Sequence, residues 1–306
     1  MQYEFDIRND TQNRWRDILS SLGVPENFLR NKMGPCPMCG GKDRYRFTDK
    51  DGHGMWICNQ CGAGNGVQLA MQYLKMDFME VLRAVQPLVG SARVQHPRQI
   101  DEAKLRKQRS DLWSSGSPIV PGMVVDKYLV SRLGRSIAST ELRSVTTDDG
   151  VTMLARVLSA DGKRVETLHR TLLTKEGAKV PGDSPRKMMP GSCGKGVAVR
   201  LMPPVDGTIG IAEGIETALS AHILFGVPVW SALNAGFLSS WNPPEDITRV
   251  YIFGDNDRSM TGQAAAFECA RRCVAAGKQV EVKIPDTPGD WNDVLKAKQP
   301  EPLKAA

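Results

Sequence analysis

Residues 208–225 read TIGIAEGIETALSAHILF, an apolar stretch that leads directly into a helical pattern. Thr208–Ala212 predicts a short buried strand and Ile215–Phe225 a helix, so Glu213 lies where the strand ends. Further strands are expected at residues 227–232, 249–254 and 279–284, with a helix at residues 263–276. Alternating strands and helices are typical of a parallel sheet, which binds its ligands at the carboxyl ends of the strands.

Acidic residues follow three of the predicted strands. Glu213 follows the first, Asp255 and Asp257 follow a later one, and Asp290 and Asp293 follow the last. Because Asp255 and Asp257 are two residues apart on extended backbone, their carboxylates can point to the same side. Such a group suits one or two Mg²⁺ ions, which can activate an attacking hydroxyl and stabilise a leaving phosphate. The alternative is that these acids only cap helices, since Asp is common at helix N-termini.

The region before the first of these strands is basic. Residues 118–206 carry 14 Lys and Arg against 9 Asp and Glu, and residues 151–173 predict a hairpin around the Asp161-Gly162 turn. Cations here can hold phosphates or stabilise charge on a transferring phosphoryl group. The alternative for each is a solvated surface charge. The candidates for nucleotide or nucleic-acid binding are Arg156, Arg170, Arg186 and Lys187.

The charge is unevenly spread along the chain. Residues 1–117 carry 17 Lys and Arg against 13 Asp and Glu, whereas residues 207–306 carry 9 against 12. A basic N-terminal part and an acidic C-terminal part suit a protein that binds a polyanion and holds divalent cations. The alternative is ordinary variation in surface charge, which gives similar numbers. No apolar run approaches the roughly 20 residues that span a bilayer, and the polar N-terminus is unlike a signal peptide. We therefore expect no membrane association and a cytoplasmic location.

Residues 34–62 contain two CxxC pairs separated by 18 residues, a zinc-ribbon spacing. Gly40 and Gly62 follow the pairs, at turns that often need positive φ. Four thiolates fill a tetrahedral shell and leave no position for chemistry, which indicates one structural zinc per chain. Two disulfides are the alternative, and the expected compartment disfavours them. The predicted zinc ligands are Cys36, Cys39, Cys58 and Cys61.

Alternating side chains lie between the two CxxC pairs. On a strand, Arg44 and Arg46 face one way while Tyr45 and Phe47 face the other. The arginines can contact phosphate while the aromatic residues pack in a core. Alternatively the aromatic residues are exposed and stack on bases. For Trp56, on the opposing strand, the sequence leaves both possibilities open.

The two signatures resemble known families. The stretches GPCPMCGGKDRYRF at residues 34–47 and WICNQCG at residues 56–62 resemble the zinc ribbon of primase-helicases from satellite phages and plasmids. In that family the ribbon is thought to recognise the single-stranded template, and the resemblance implies that role here. The acidic segments resemble the Toprim domain of bacterial-type primases, topoisomerases, certain nucleases and RecR-like proteins. Its glutamate and Asp-x-Asp match Glu213, Asp255 and Asp257, and EGIETALS and DWND resemble the mobile-element primase branch in particular.

Together these patterns predict a multidomain chain of α+β and α/β class, in which the C-terminal domain has a parallel sheet. The expected order is a zinc-ribbon template-binding domain with flanking helices (residues 1–90), a charged and partly helical linker (91–117), a basic α+β subdomain of the primase core (118–206) and a Toprim catalytic domain (207–306).

The resemblance implies a DNA-dependent primase, a nucleotidyltransferase that joins ribonucleoside triphosphates into short RNA primers on single-stranded DNA during DNA replication. Its implied cofactors are structural zinc and catalytic Mg or Mn. The implied ligands of the catalytic metal are Glu213, Asp255, Asp257, Asp290 and Asp293. The sequence contains no GxxxxGK[ST] pattern, so a replicative helicase would be a separate partner.

Two other functions remain open: a non-catalytic, RecR-like recombination mediator and a Toprim nuclease. The long basic segment between ribbon and Toprim region favours the primase over the mediator, because such mediators are shorter.

Overall fold

The computed structural model describes residues 5–95, 101–147, 150–182, 185–191 and 193–298. The chain divides into two compact units, Met1–Ile100 and Asp101–Ala306. Within the described ranges, no helix combines the length and the apolar character that crossing a lipid bilayer requires.

The first unit surrounds a small antiparallel sheet of strand order β1-β2-β3-β4. Tyr45, Phe47 and Trp56 are all buried, so the aromatic residues pack in the core and are not exposed for base stacking. The next two helices each begin with a capping box, at Asn65 and Asp77. The elements of this unit are α1 (Ile7–Asp10), α2 (Trp15–Ser21), β1 (Gly34–Cys36), β2 (Gly40–Phe47), β3 (Trp56–Cys58), β4 (Gly62–Gly64), α3 (Gly66–Leu74) and α4 (Phe78–Val85), with 3₁₀ turns at Glu26–Phe28 and Gln86–Leu88.

The second unit begins with a helix and an antiparallel sheet of strand order β5-β6-β7-β8-β9. The helix falls within the predicted linker and is part of this unit, since its Arg109 is buried and donates hydrogen bonds to the carbonyls of Glu166 and Leu105. Residues 96–100 of the predicted linker lie outside the described residues. The elements here are α5 (Glu102–Ser115), β5 (Ser117–Pro118), α6 (Val124–Leu133), β6 (Leu142–Thr147), β7 (Gly150–Leu158), β8 (Val165–Leu173) and β9 (Arg186–Met188).

The remainder of the second unit is a parallel sheet of strand order β11-β10-β12-β13 with helices on both faces. The predicted α/β architecture with a parallel sheet is confirmed. Side chains alternate between the two faces: Ile211 and Ile252 pack with residues of α9, whereas Ala212 and Phe253 pack with residues of α7 and α10. The elements are β10 (Thr208–Ala212), α7 (Ile215–Phe225), β11 (Val229–Ser231), α8 (Ala235–Ser239), β12 (Arg249–Phe253), α9 (Thr261–Ala275), β13 (Gln279–Lys283) and α10 (Trp291–Ala297).

Candidate functional site

The carboxyl ends of β10 and β12 lie side by side, because the strands are paired in register up to Ala212 and Phe253. Glu213, after β10, and Asp255, after β12, therefore lie at the same edge of the sheet. The backbone carbonyl of Glu213 accepts hydrogen bonds from the Ser231 hydroxyl at 2.9 Å and from the Leu233 amide at 2.6 Å. The parallel sheet thus brings together two acidic segments that are distant in sequence.

The Asp-x-Asp turn after β12 is fixed by the first turn of α9. Asp257 accepts a hydrogen bond from the amide of Gly262 at 2.9 Å, and the Gln263 side chain bonds both the Asp257 amide at 3.2 Å and Asn256 Oδ1 at 2.9 Å. A Cβ at position 262 would lie 2.8 Å from the Asp255 carbonyl oxygen, so this close approach requires glycine. No sequence motif marks Gln263, because its role depends on side-chain contacts between neighbouring segments.

Asp290 and Asp293 are brought to the same edge by a bridge between two loops. The backbones of Asn256 and Gly289 exchange hydrogen bonds of 2.9 and 3.1 Å. Asp290 is the N-cap of α10 and accepts from the amides of Asn292 and Asp293, while Asp293 accepts from the amide of Asp290 at 3.2 Å. These two residues therefore serve as a capping box, and their charges also act on the cluster next to them.

Asp255 experiences the strongest electrostatic effect in this group. Burial, followed by the charges of Glu213, Asp290, Asp257 and Asp293, raises the pKa of Asp255 to about 8. Its Oδ1 atom is buried and has no hydrogen-bond partner. Burial is also the main reason that the pKa of Glu213 is raised, with a further contribution from Asp257 and a partial offset from the cation of Arg186.

These observations fit a divalent cation at the carboxylate edge. A cation would give Asp255 Oδ1 a partner and relieve the repulsion among the five acids Glu213, Asp255, Asp257, Asp290 and Asp293. In the described part of the chain, no three of these carboxylates have oxygens within 4.8 Å of one another. Mg²⁺ keeps several water molecules and takes few direct carboxylate ligands, so binding it does not require a complete shell of protein ligands.

Glu216, three residues after Glu213, has a different environment. Its buried carboxylate accepts a hydrogen bond from Tyr128 and pairs with Lys179 Nζ at 2.7 Å. Burial by itself raises the pKa of Glu216, but the charge and hydrogen bond of Lys179 outweigh that effect and lower it to about 2. Burial lowers the pKa of neighbouring His169 to about 4, so this imidazole is neutral at physiological pH.

The predicted basic residues do not form one cluster. In the β8–β9 register Arg170 lies opposite Lys187 and Thr171 opposite Arg186, so Arg170 and Lys187 share one face and Arg186 lies on the other. Arg186 is on the face of buried His169, and its charge acts on Glu213. Of the four candidates, Arg186 is the one that the structure brings close to the acids.

Arg156 is engaged in structural contacts. Its guanidinium makes two hydrogen bonds with Glu141, of 2.6 and 2.8 Å, and stacks over the Trp113 ring at 4.7 Å from the centroid. This pairing neutralises much of the charge that motivated its selection from the sequence. Lys179, in contrast, was not among the selected residues, because its pairing with Glu216 is a long-range contact.

The four cysteines of the first unit converge as their spacing predicts. Their sulfur atoms all lie within 4.8 Å of one another, with 3.9 Å between Cys36 and Cys61 and 3.7 Å between Cys39 and Cys58. Gly40 and Gly62 have φ values of +69° and +87°, as the knuckle turns require. Four converging sulfurs fit a tetrahedral zinc ion with no open position.

The ribbon sheet also presents an exposed face. Arg46 is exposed, and its cross-strand partner Ile57 has 42% of its surface exposed. Arg44 shares this face and donates a hydrogen bond to Gln60 at 3.1 Å. The arginines therefore lie opposite the buried Tyr45 and Phe47, as the alternation predicted.

Comparison with protein families assigns three parts of the chain. Residues 31–67 match the zinc-binding domain of primase-helicase, residues 208–301 match the Toprim domain, and residues 103–201 match a domain of unknown function. The chain thus combines an N-terminal zinc-binding domain of the primase-helicase type with a C-terminal Toprim domain, and both predictions are confirmed.

Among solved structures, the chain is similar to the zinc-binding and RNA polymerase domains of Aquifex aeolicus primase, with 14% identity, 97% of this chain and 83% of that chain covered, and a TM-score of 0.42. It is also similar to the primase fragment of the bacteriophage T7 primase-helicase, with 13% identity, 87% of this chain and 95% of that chain covered, and a TM-score of 0.40. A third similar structure is the Escherichia coli primase catalytic core, with 14% identity, 65% of this chain and 71% of that chain covered, and a TM-score of 0.33.

Proposed function

We propose that this chain is a DNA primase that joins ribonucleoside triphosphates into short primers on a single-stranded DNA template. The observation that carries the proposal is the carboxylate edge of the Toprim sheet, where buried Asp255 Oδ1 has no partner, in a chain that also has a zinc-binding domain of the primase-helicase type. The reaction would be attack of a 3′ hydroxyl on the α-phosphate of the incoming nucleotide, with pyrophosphate as the leaving group.

Glu213, Asp255 and Asp257 would hold Mg²⁺ or Mn²⁺ at this edge. When bound, such a metal supplies Lewis acidity for the attacking hydroxyl and the leaving phosphate. Gln263 keeps the turn of Asp255 and Asp257 in place through its hydrogen bonds to Asn256 and Asp257. Asp290 and Asp293 add negative charge near the site while capping α10.

Cations beside the carboxylates would bind the triphosphate. Arg186 is exposed, and its charge offsets part of the rise in the pKa of Glu213, so its guanidinium could donate hydrogen bonds to a phosphate beside the metal. The Lys179 ammonium is oriented by Glu216, since the two side chains pair at 2.7 Å, and 30% of the Lys179 side chain is exposed. The roles of Arg170 and Lys187 would be contacts with the template backbone on the other face of the sheet.

The ribbon would bind the template. Exposed Arg46 and its neighbour Arg44 can contact phosphates, and exposed Ile57, the cross-strand partner of Arg46, offers an apolar surface to a base. Template binding on the ribbon and chemistry at the carboxylate edge would be separate tasks of separate units.

The test is incorporation of labelled ribonucleotides by the purified chain on mixed single-stranded templates, with Mg²⁺, with Mn²⁺ and with EDTA. Short labelled products that require a divalent metal support the proposal, and a parallel reaction with deoxyribonucleotides defines the sugar preference. A shortened template with no new product indicates a nuclease. Tight DNA binding without either reaction indicates a recombination mediator, and both outcomes contradict the proposal.

A further inference from the structure

A cavity of about 800 Å³ lies at the amino ends of the strands of the parallel sheet. Thr208 and Arg249, the paired first residues of β10 and β12, line it together with Tyr251. Its other walls come from the end of α7, the loop after α6 and the loop before β10. Small-molecule sites span roughly 300–1,000 Å³, so this cavity is large enough for one. We call it the amino-edge cavity.

The amino-edge cavity is separate from the carboxylate edge. The strands β10 and β12 are five residues long, so their two ends lie roughly 13 Å apart. Glu213 and Asp255 follow the carboxyl ends of these strands, whereas the cavity lies at the other ends. A ligand in the cavity would therefore be distinct from one held by the five acids.

Two arginines give the amino-edge cavity its positive charge. Arg135 and Arg249 both line it, and neither forms an ion pair with an acid among the described residues. The Arg249 guanidinium is held by the neutral side chain of Gln279, whose Oε1 accepts hydrogen bonds of 3.3 and 3.4 Å. This contact orients Arg249 without neutralising it. A phosphate in the cavity can therefore accept charge-assisted hydrogen bonds from the two guanidiniums.

The remaining walls of the cavity suit a nucleoside. The half-buried ring of Tyr251 stacks with Phe253 at 17° between the ring planes, and a flat base can pack against such a fixed aromatic surface. The His222 ring is also fixed, because its Nδ1 donates a hydrogen bond of 2.7 Å to the carbonyl of Val227. Asp206 lines the cavity as well, and its carboxylate forms no ion pair with the described residues. Hydroxyl or amino groups of a nucleoside can donate to this carboxylate, whereas its charge repels a bare anion.

We propose that the amino-edge cavity binds a nucleoside phosphate. Its phosphate pairs with Arg135 and Arg249, its base packs against Tyr251, and its hydroxyl or amino groups donate hydrogen bonds to Asp206. The inference goes beyond the proposed activity and does not depend on it, because this binding involves none of the five acids and needs no metal.

Isothermal titration calorimetry of the full chain with adenosine monophosphate in EDTA tests the binding. This probe has no triphosphate and EDTA removes divalent metal, so the carboxylate edge is not expected to hold it. We expect saturable binding, and Arg249→Ala should weaken it about tenfold or more, because a charge-assisted hydrogen bond is lost. Arg186→Ala is the matched control, since Arg186 is also exposed but lies beside the acids, and it should bind like the wild type. No saturable binding, or binding lost in Arg186→Ala and kept in Arg249→Ala, overturns the proposal.

A second pair of variants tests the location without removing an arginine. Val205 lines the cavity and is 55% exposed, so Val205→Glu adds a negative charge beside the bound phosphate. It should weaken the binding of adenosine monophosphate by about tenfold, because like charges repel. Val274→Glu makes the same change at a valine of 60% exposure on α9, outside the cavity, and should bind like the wild type. Equal affinities of these two variants contradict the proposed location.

The class of ligand is tested with ribose 5-phosphate, which has the same phosphate but no base. We expect it to bind about tenfold more weakly than adenosine monophosphate, because the contact of the base with Tyr251 is lost. Equal affinities for the two probes would show that the cavity holds the phosphate alone and would overturn the assignment of a nucleoside.

Discussion

The cysteines of the ribbon and the acids of the carboxylate edge are arranged in opposite ways. In the ribbon, the sulfur atoms of two short knuckles converge within 4.8 Å, so the ligand shell is complete and closed. At the carboxylate edge, acids from three segments of the Toprim sheet surround a buried oxygen that has no partner. The first arrangement suits a metal that stabilises a fold, and the second suits a metal that shares its coordination with water and substrate.

The environments of two nearby glutamates, Glu213 and Glu216, show what distinguishes the carboxylate edge. Glu213 and Glu216 are three residues apart, yet the pKa of Glu213 is raised and that of Glu216 is lowered to about 2. Burial acts against the charged form of both. The difference is that Lys179 pairs directly with Glu216, whereas the charge of Arg186 offsets only part of the effect that burial and Asp257 have on the pKa of Glu213. The chain thus supplies a paired cation of its own to Glu216, and in the proposed function the cation beside Glu213 would be the divalent metal.

The largest expected effect is the loss of zinc from the ribbon. Cys58→Ser, or removal of the metal by a chelator, should unfold residues 34–64, because structural zinc contributes on the order of 10 kcal/mol or more of folding free energy. Hydrogen exchange should show lost protection of β2 and β3, while β10 and β12 keep theirs. Cys193→Ser is the control. Retained protection of β2 and β3 without zinc, or a purified protein without zinc, contradicts the assignment.

A smaller effect is expected when the built-in cation of Glu216 is removed. Lys179→Met leaves a buried carboxylate unpaired and should cost about 3–5 kcal/mol in the free energy of unfolding. Adding Glu216→Gln should recover most of this loss, because the uncompensated charge disappears. Lys283→Met is a matched control: Lys283 is 32% exposed, like Lys179 at 30%, but its partner Glu281 is 51% exposed. It should change stability by less than about 1 kcal/mol in denaturant titrations. Equal losses at the two lysines contradict the account.

The carboxylate edge should show a pH dependence in EDTA. The pKa of Asp255 is raised to about 8 from an ordinary value of 3.8, so the folded state binds more protons than the unfolded state between these values. The free energy of unfolding should therefore fall as pH rises through this range. Asp255→Asn should remove about 3 kcal/mol of that fall, a figure that allows for the partial exposure of the site. Denaturant titrations at several pH values measure this.

Asp286→Asn, at an exposed aspartate outside the cluster, should keep the wild-type slope. Saturating Mg²⁺ should reduce the pH dependence of the free energy of unfolding in the wild type. It should have little effect on that dependence in Asp255→Asn. Wild type and Asp255→Asn with parallel slopes in EDTA would show that the carboxylates do not interact as described.

The smallest effect concerns phosphate contacts of the ribbon. The affinity for single-stranded DNA should fall steeply as the salt concentration rises. Arg46→Ala should reduce the affinity about three- to tenfold. It should also reduce the slope of log affinity against log salt concentration by the equivalent of about one phosphate contact. Arg271→Ala is the control for lost positive charge, because Arg271 is paired at the surface with Glu268 at 2.8 Å. It should leave the slope unchanged. An affinity that is independent of salt, or equal effects of the two variants, argues against the ribbon as the template surface.

The sequence predicted those features that depend on local spacing. The knuckles need only the CxxC pairs and their glycines, and Glu213, Asp255 and Asp257 are located by the strands that precede them. Alternation along β2 separated Arg44 and Arg46 from Tyr45 and Phe47, but it could not decide whether the aromatic residues are buried. Their packing against the helices of the first unit decides that.

The missed features depend on contacts between distant segments. Tyr128 and Glu216 are 88 positions apart, and no periodicity marks their hydrogen bond or the pairing with Lys179. The β8–β9 register places Arg186 on the face of the sheet opposite to Arg170 and Lys187. Because that register depends on the whole sheet, the sequence could not show which cation lies beside the acids.

The central claim is that the carboxylate edge performs nucleotidyl transfer while other surfaces bind DNA. The most direct measurement is incorporation of labelled ribonucleotides on single-stranded DNA with Mg²⁺ by Asp255→Asn, Asp257→Asn and the control Asp286→Asn, beside DNA-binding titrations of the same proteins. We predict that the first two variants lose activity by about 1,000-fold or more and bind DNA as well as the wild type, because the substitutions remove negative charge that holds the metal but no phosphate contact. The control should retain both properties. Primer synthesis at the wild-type rate by Asp255→Asn and Asp257→Asn would contradict the account.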